Sequence, residues 1–373
     1  MEIHMRVYIV IASISPIENL CMLKSDVEPL ETRILIVDEG DEKIRSLNDK
    51  LLANIPHEHY GPREREKWFK ERFGEAFEKY LQLIPVKCHA ETSFGFLKAY
   101  EEDADIIIEL DDDVLIPDDF LRGHLDNLFN DKGVTVYASG KWYNTLENIQ
   151  LNTNQKIFPR GHPYAPSCRN EGYEWVYSGG NCVLNMGLWS GHPDLDALTI
   201  LYYGGLNGKC TVEGDACKRD KVILGNGTYF GLCSMNTSFM SKIVPAFYQL
   251  YMNFNDIDRF DDIWSGIFIK KIADQIGDKL CLGKPVGRHL KRARNVFKDL
   301  QKEANGLEIN ENLWKICDEA ELSAKTYADC YLELADHIDK NIEKLVKTPS
   351  YVNFWQVQTA NMRKWVDVID KIS

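Results

Sequence analysis

The feature that most constrains this chain is a set of short β-branched runs spaced by amphipathic stretches, two of which run directly into carboxylates. Arg6 to Ala12 carries Val7, Tyr8, Ile9, Val10 and Ile11 without polar alternation, which predicts a strand buried on both faces. Arg33 to Val37 predicts a second strand and ends in Asp38-Glu39-Gly40-Asp41. Asp105 to Leu110 predicts a third and ends in Asp111-Asp112-Asp113, and Val134 to Ala138 predicts a fourth. Strands of this kind are parallel and need helical crossovers, so the fold class is α/β. Open sheets of that class bind ligands beyond the carboxyl ends of their strands, where these acids fall.

An insert over about 56–85 carries Trp68, Phe69, Phe73, Phe77, Tyr80 and Leu81 at spacings of three and four. That predicts one helix from Pro62 to Leu83 with an aromatic packing face. From Lys141 to about Gly231 the text is rich in Gly, Asn, Pro and aromatics and predicts ordered loops and short strands. From about Glu308 the helical period returns, and Thr348-Pro349-Ser350 interrupts it before a last helix ending at Ile372. The expected division is a mixed-sheet catalytic domain over 1–305 and a helical C-terminal extension over 306–373.

With 44 Lys and Arg against 57 Asp and Glu, the formal charge is −13, which excludes a general nucleic-acid binder. The apolar run Val7 to Ala12 is too short for a signal-peptide core, and no stretch approaches a membrane span. Ten cysteines include no Cys-x-x-Cys pair, which argues against both a cysteine zinc site and a disulfide framework. The expectation is a reduced, cytoplasmic protein.

Three carboxylates at Asp111, Asp112 and Asp113 repel one another unless something positive sits among them. A hard divalent ion is the natural partner, with a solvated acidic loop as the plain alternative. Asp38 and Glu39 offer acceptors for a nucleoside base or ribose; the alternative is an acidic turn. The stiff loop Pro159-Arg160-Gly161-His162-Pro163 can present a guanidinium to a diphosphate, with Arg169 nine residues on. Asp261 and Asp262 open an apolar helix and are either acid–base groups or helix caps. His289 is a potential third metal ligand.

Taken together, these stretches resemble the reversibly glycosylated polypeptide family, whose plant members are UDP-arabinopyranose mutases. The matching strings are Asp111-Asp112-Asp113, Arg160-Gly161-His162-Pro163-Tyr164, Gly187-Leu188-Trp189, Pro193-Asp194-Leu195-Asp196-Ala197 and Cys233-Ser234-Met235-Asn236. Most specific is Arg259-Phe260-Asp261-Asp262-Ile263-Trp264-Ser265-Gly266, followed by His289, Lys291 and Asn295. The resemblance implies a GT-A-like fold, a nucleotide-sugar substrate (UDP-arabinose or a related pentose or hexose), Mn²⁺ or Mg²⁺, and reversible glycosylation of Arg160. It implies metal ligands at Asp111, Asp113 and His289, and Asp261 or Asp262 as the base. Substrate-binding roles then fall to Asp38, Glu39, Asp112, Arg169, Trp189, Asn236, Trp264 and Lys291. The chemistry needs no redox step and implies no flavin. A mutase acting on a UDP-sugar leads; a transferase with an external acceptor and a non-catalytic scaffold are the alternatives. A homo-oligomer is compatible with each of these.

Overall fold

The computed structural model describes residues 5–20, 23, 30–345 and 349–373, so Cys21 and Thr348 lie outside the described residues. Its central sheet begins with β1 (Met5–Ala12), β2 (Leu30–Val37), β3 (His57–Tyr60) and β4 (Ile106–Leu110). It continues with β5 (Val134–Ala138), β6 (Tyr173–Val176), β7 (Leu184–Gly191), β8 (Lys221–Leu224), β9 (Asn236–Met240) and β10 (Leu280–His289). The main path of this 13-stranded sheet runs β3-β2-β1-β4-β9-β7-β10-β8-β5-β6. β1 to β4 are parallel neighbours; β1, β2 and β4 carry the apolar runs of a sheet covered on both faces, while β3, His-Glu-His-Tyr, is the polar strand at the end of the path. β9 enters antiparallel between β4 and β7, and β7 and β10 are again parallel.

The reversal at β9 positions the site. Because β9 runs against its neighbours, the segment leading into it meets the carboxyl ends of β1, β2, β4, β7 and β10 at one edge. The sheet is mixed, with helices packed on it and a helical C-terminal region.

Helices α1 (Glu42–Leu51), α2 (Pro62–Phe73), α3 (Thr92–Glu101) and α4 (Phe120–Phe129) belong to the first half. Asp41 caps α1 by accepting from the Lys43 and Ile44 N–H groups, which satisfies two orphan donors. α2 starts at Pro62, and the Glu64 carboxylate reaches back to the Gly61 N–H at 2.9 Å. The single helix expected through Leu83 is instead broken: Gly74 adopts φ 54°, and Phe77–Leu81 forms a separate short helix. The aromatic face does pack, with Trp68 5.4 Å from Phe94 ring to ring.

β7 lies within the stretch read as loops and short strands. Its pattern is hidden because Asn185 is interior, giving its amide N–H to the Lys284 carbonyl at 2.9 Å and accepting from Asn127 at 3.1 Å. Satisfied buried polar groups cost little and leave no hydrophobic signature.

The second half carries α5 (Asp261–Ile276), α6 (Val296–Glu319), α7 (Tyr327–Leu345) and α8 (Pro349–Ile372). The border expected at 305/306 falls inside α6. There Gly306 lies on the Phe260 ring, where an added Cβ would sit 2.3 Å from a ring carbon. Trp355 packs 5.1 Å from Trp264, and Trp365 donates its indole N–H to the Val244 carbonyl at 2.8 Å. One buried cluster runs from β1 to α8. Each fully buried Leu, Ile or Phe in it contributes about 1.5–3 kcal/mol. Among the described residues no helix is long and apolar enough to cross a membrane.

Candidate active site

A cleft of about 350 Å³ opens at the sheet edge where the strand ends converge, and Asp111, Asp113, Arg160, Asp194, Asp261, Asp262 and His289 line it. The Arg160 loop is held from two helices. Gly161 has φ 83° and lies so close to Ile263 that an added Cβ would be 2.5 Å from its methyl carbon. Asn310 of α6 donates to the Gly161 carbonyl at 2.9 Å.

The guanidinium itself is enclosed. Arg160 Nε donates to Asp194 Oδ2 at 2.9 Å, Nη2 to Asp262 Oδ2 at 3.1 Å, and Nη1 to the Arg259 carbonyl. Arg259 presents that carbonyl from φ 67°, a left-handed conformation costing roughly 1–3 kcal/mol in a non-glycine residue. The buried Glu303 carboxylate, 2.6 Å from Arg259 Nε, holds it there. Burial works against the Arg160 charge, but Asp194 and Asp262 outweigh it and hold the group well above even the usual arginine range. In turn, burial raises Asp194, yet Arg160, Lys291 and Arg259 pull it well below the usual carboxylate range. Asp262 behaves oppositely: burial, with Asp261 and Asp194 nearby, pushes it up to about 6 despite Arg160. Two carboxylates on one guanidinium are thus split into a permanent anion and a group poised near neutrality.

The N-cap residue of α5, Phe260, makes no side-chain cap bond, and Asp262 Oδ1 accepts from the Ile263 N–H of the first turn at 2.9 Å. Asp262 also accepts from the Ser234 N–H at 3.3 Å, and Asp261 Oδ2 lies 2.6 Å from His89 Nδ1. Desolvation opposes the His89 charge, but Asp261 and Asp111 outweigh it and raise it well above the usual histidine range. His89 Nε2 is 3.9 Å from Asp111 Oδ1, and His289 Nε2 is 3.7 Å from Asp113 Oδ2. His289 Nδ1 faces the His192 carbonyl at 2.7 Å, which places its proton there and leaves Nε2 free toward Asp113.

The remaining expected positions lie elsewhere or face inward. Asp112 is tied to Ser13 at 2.7 Å and to Arg292 at 3.1 Å. Asp38, at the end of β2, is bound by Arg45, His59 and the Gly40 N–H, and Glu39 accepts from the Lys87 N–H at 2.6 Å. Arg169, expected to hold phosphate, stacks its guanidinium 3.9 Å over Tyr164 and 4.6 Å over Phe158, and its Nε donates to the Pro163 carbonyl. Trp189 is buried in β7. Asn236 bonds His124 and the Leu188 and Pro285 carbonyls, and Trp264 donates to Asn310. These three are core positions, held by the interior's packing and hydrogen bonds, and they do not line the cleft. Lys291 is buried beneath the cleft, and burial, with Arg294, lowers it to about 8.

Sequence reasoning missed His89, the role of Asp194, and Arg259 with Glu303. Asp194 stood in the Pro193-Asp194 string, but nothing local paired it with an arginine 34 residues away. His89 carries no motif at all. Arg259, Arg294 and Lys302 also line the cleft and offer cations that the sequence reading did not assign.

Fold and site define an α/β protein with a mixed sheet and an acidic cleft at the sheet edge. Residues 9–373 match the model of the family described as Reversibly glycosylated polypeptide, and the chain belongs to that family. It is 26% identical over 377 residues to UDP-arabinopyranose mutase 1 of Arabidopsis thaliana, covering 98% of this chain and 92% of that one. It is 26% identical to probable UDP-arabinopyranose mutase 1 of Solanum tuberosum over 98% and 90% of the two chains. The probable mutase 1 of Pisum sativum is 29% identical over 78% of this chain and 73% of its own. Among solved structures, S. aureus TarS 1-349 in complex with UDP superposes with a TM-score of 0.31 at 7% identity, over 97% of this chain and 90% of that one.

Proposed function

We propose that the chain is a UDP-sugar mutase that interconverts pyranose and furanose forms through transient glycosylation of Arg160. The observation that carries this reading is the Arg160 guanidinium enclosed by Asp194 and Asp262 in a cleft it shares with Asp111 and Asp113. The mutase names of the relatives support the same reaction class.

A guanidinium is a poor nucleophile because its nitrogen electrons are delocalised and protonated. Free guanidine is out of reach beside Asp194, so attack and proton transfer have to be concerted. Asp194 fixes Nε and the ring plane of the guanidinium. As one terminal nitrogen bonds to the anomeric carbon, the bond to diphosphate breaks, UDP leaves, and the N–H proton passes to Asp262. The sugar ring opens and a different hydroxyl closes on the anomeric carbon. UDP then returns, the carbon–nitrogen bond breaks, and Asp262 gives the proton back. Arg259, Arg294 and Lys302 are the cations positioned to meet a diphosphate.

By chemistry, two carboxylates and one imidazole suit a hard divalent ion, and the free nitrogen of His289 is turned toward Asp113. The three ligand atoms do not all lie within 4.8 Å of one another and would have to draw together around the ion. Asp111, Asp113 and His289 would hold Mn²⁺ or Mg²⁺, which when bound neutralises charge on the departing diphosphate.

The test is incubation of the protein with UDP-arabinopyranose and Mn²⁺, without acceptor, followed by nucleotide-sugar analysis. UDP-arabinofuranose appearing, and its loss in EDTA, supports the reading. Free UDP formed only when an acceptor is added identifies a transferase instead.

A further inference from the structure

A separate group of metal-ligating side chains lies at the sheet margin, outside the cleft. His57 and His59 alternate along β3, the first strand of the sheet path, so they share one face. Asp49 comes from α1. His57 Nε2 is 3.1 Å and His59 Nε2 is 3.3 Å from the same oxygen, Asp49 Oδ1. Among the described residues this is the one group of three His, Cys, Asp or Glu side chains whose ligand atoms all lie within 4.8 Å of one another.

The far side of each ring is already committed. His57 Nδ1 faces the Ile55 carbonyl at 2.8 Å, and His59 Nδ1 faces the Asp38 carboxylate at 2.8 Å. A carbonyl and a carboxylate only accept, so each Nδ1 carries its proton and each Nε2 is turned inward. His59 Nε2 is buried and has no hydrogen-bond partner. Two imidazole nitrogens converging on one carboxylate oxygen need a positive centre among them, which a bound cation or ring protons can supply. Carbonyl- and carboxylate-anchored imidazoles are also the usual outer support of metal-bound histidines.

We propose that Asp49, His57 and His59 form a binding site for a divalent transition-metal ion of the zinc class. Two imidazole nitrogens and one carboxylate oxygen suit Zn²⁺, whereas Mg²⁺ demands an oxygen shell. The Asp49 side chain is 59% exposed, so a water completes a four-coordinate site from the solvent side. The ion ties β3 to α1. Through His59 it also steadies Asp38, which in the same contact network binds Arg45 at 2.8 Å and the Gly40 N–H at 2.7 Å. This site is independent of the mutase reading.

The test is titration of the full chain with Zn²⁺ and, separately, Mg²⁺, followed by calorimetry and Tm. One Zn²⁺ site should persist in the Asp111→Asn, Asp113→Asn double variant, raise its Tm, and show no comparable response to Mg²⁺. His59→Gln should weaken that site by about 100-fold. Asp49→Asn, at an exposed side chain that leaves strand pairing untouched, should weaken it by about tenfold with the circular dichroism of the parent. Co²⁺ in the double variant should give the strong visible bands of a four-coordinate site. Zn²⁺ affinity unchanged by Asp49→Asn, or absent from the folded double variant, overturns the assignment.

Discussion

The loop from Pro159 to Arg169 carries an arginine at each end, and opposite physics holds the two ends. At the first, Arg160 is enclosed by Asp194 and Asp262 in a charged, buried cleft. At the second, Arg169 lies on the rings of Phe158 and Tyr164. His162 between them is buried against Trp142 and Phe158, and burial lowers it to about 4, so it is neutral. A charge in the first environment is available for chemistry because its partners respond to its proton. In the second it is packing material whose charge is met by π faces. Identical side chains nine residues apart therefore sit in opposite environments through their neighbours alone.

The comparison breaks or sharpens most decisively at Arg160. Arg160→Lys keeps the charge but loses the planar fork; turnover to the furanose nucleotide should fall by roughly 10³-fold or more. Intact-protein mass spectrometry should show one reversible glycosyl mass on the parent and none on the variant. Substantial turnover in the lysine variant would assign Arg160 to diphosphate binding only.

Asp262→Asn comes next, with a loss in kcat of about 10²–10³-fold as expected for a general base. The sign of the pH dependence follows from its raised pKa: the base form exists above about 6, so parental kcat should fall tenfold per pH unit below that point. The asparagine variant should lose this limb. Helix capping would instead predict only about 1 kcal/mol of lost stability with turnover intact, and urea titration beside the kinetics separates the two.

Asp194→Asn leaves a buried guanidinium short of one counter-charge and should cost about 3 kcal/mol by denaturant titration. Asp194 is depressed in the folded state, so its contribution is present above the ordinary aspartate range and lost as pH falls below it. The parent should therefore lose its advantage over this variant in acid, and an unchanged gap would contradict the ion pair.

Arg169→Ala is the smallest effect: about 1 kcal/mol of stability from lost stacking, with UDP affinity within about twofold of the parent. A large loss of UDP binding would return Arg169 to the phosphate-holding role read from its sequence position.

Much of the frame was legible before any coordinates. β1, β2, β4 and β5 were all anticipated, because uninterrupted β-branched runs leave the chain few other places to go. β7 was not, since Asn185 interrupts its apolar run and is satisfied by distant partners. The insert broke at Gly74, a single residue whose positive φ no helical period reveals. Of the motif residues, Asp111, Asp113, Arg160, Asp194, Asp261, Asp262 and His289 reached the cleft, whereas Asp38, Glu39 and Asp112, also at strand ends, did not. Trp189, Asn236 and Trp264 did not, because a motif string does not distinguish a side chain aimed at solvent from one aimed into the core.

What the sequence by itself determined is therefore local: which segments become strands, that two of them end in acids, and which strings stand near the chemistry. What only the tertiary structure decided is partnership. Asp262 meets Arg160 across 102 residues and His89 meets Asp261 across 172. Electrostatic roles follow from distances through space, and the antiparallel strand β9 between β4 and β7 sets those distances. Strand propensity is a property of neighbours in the chain, whereas a proton affinity is a property of neighbours in the fold.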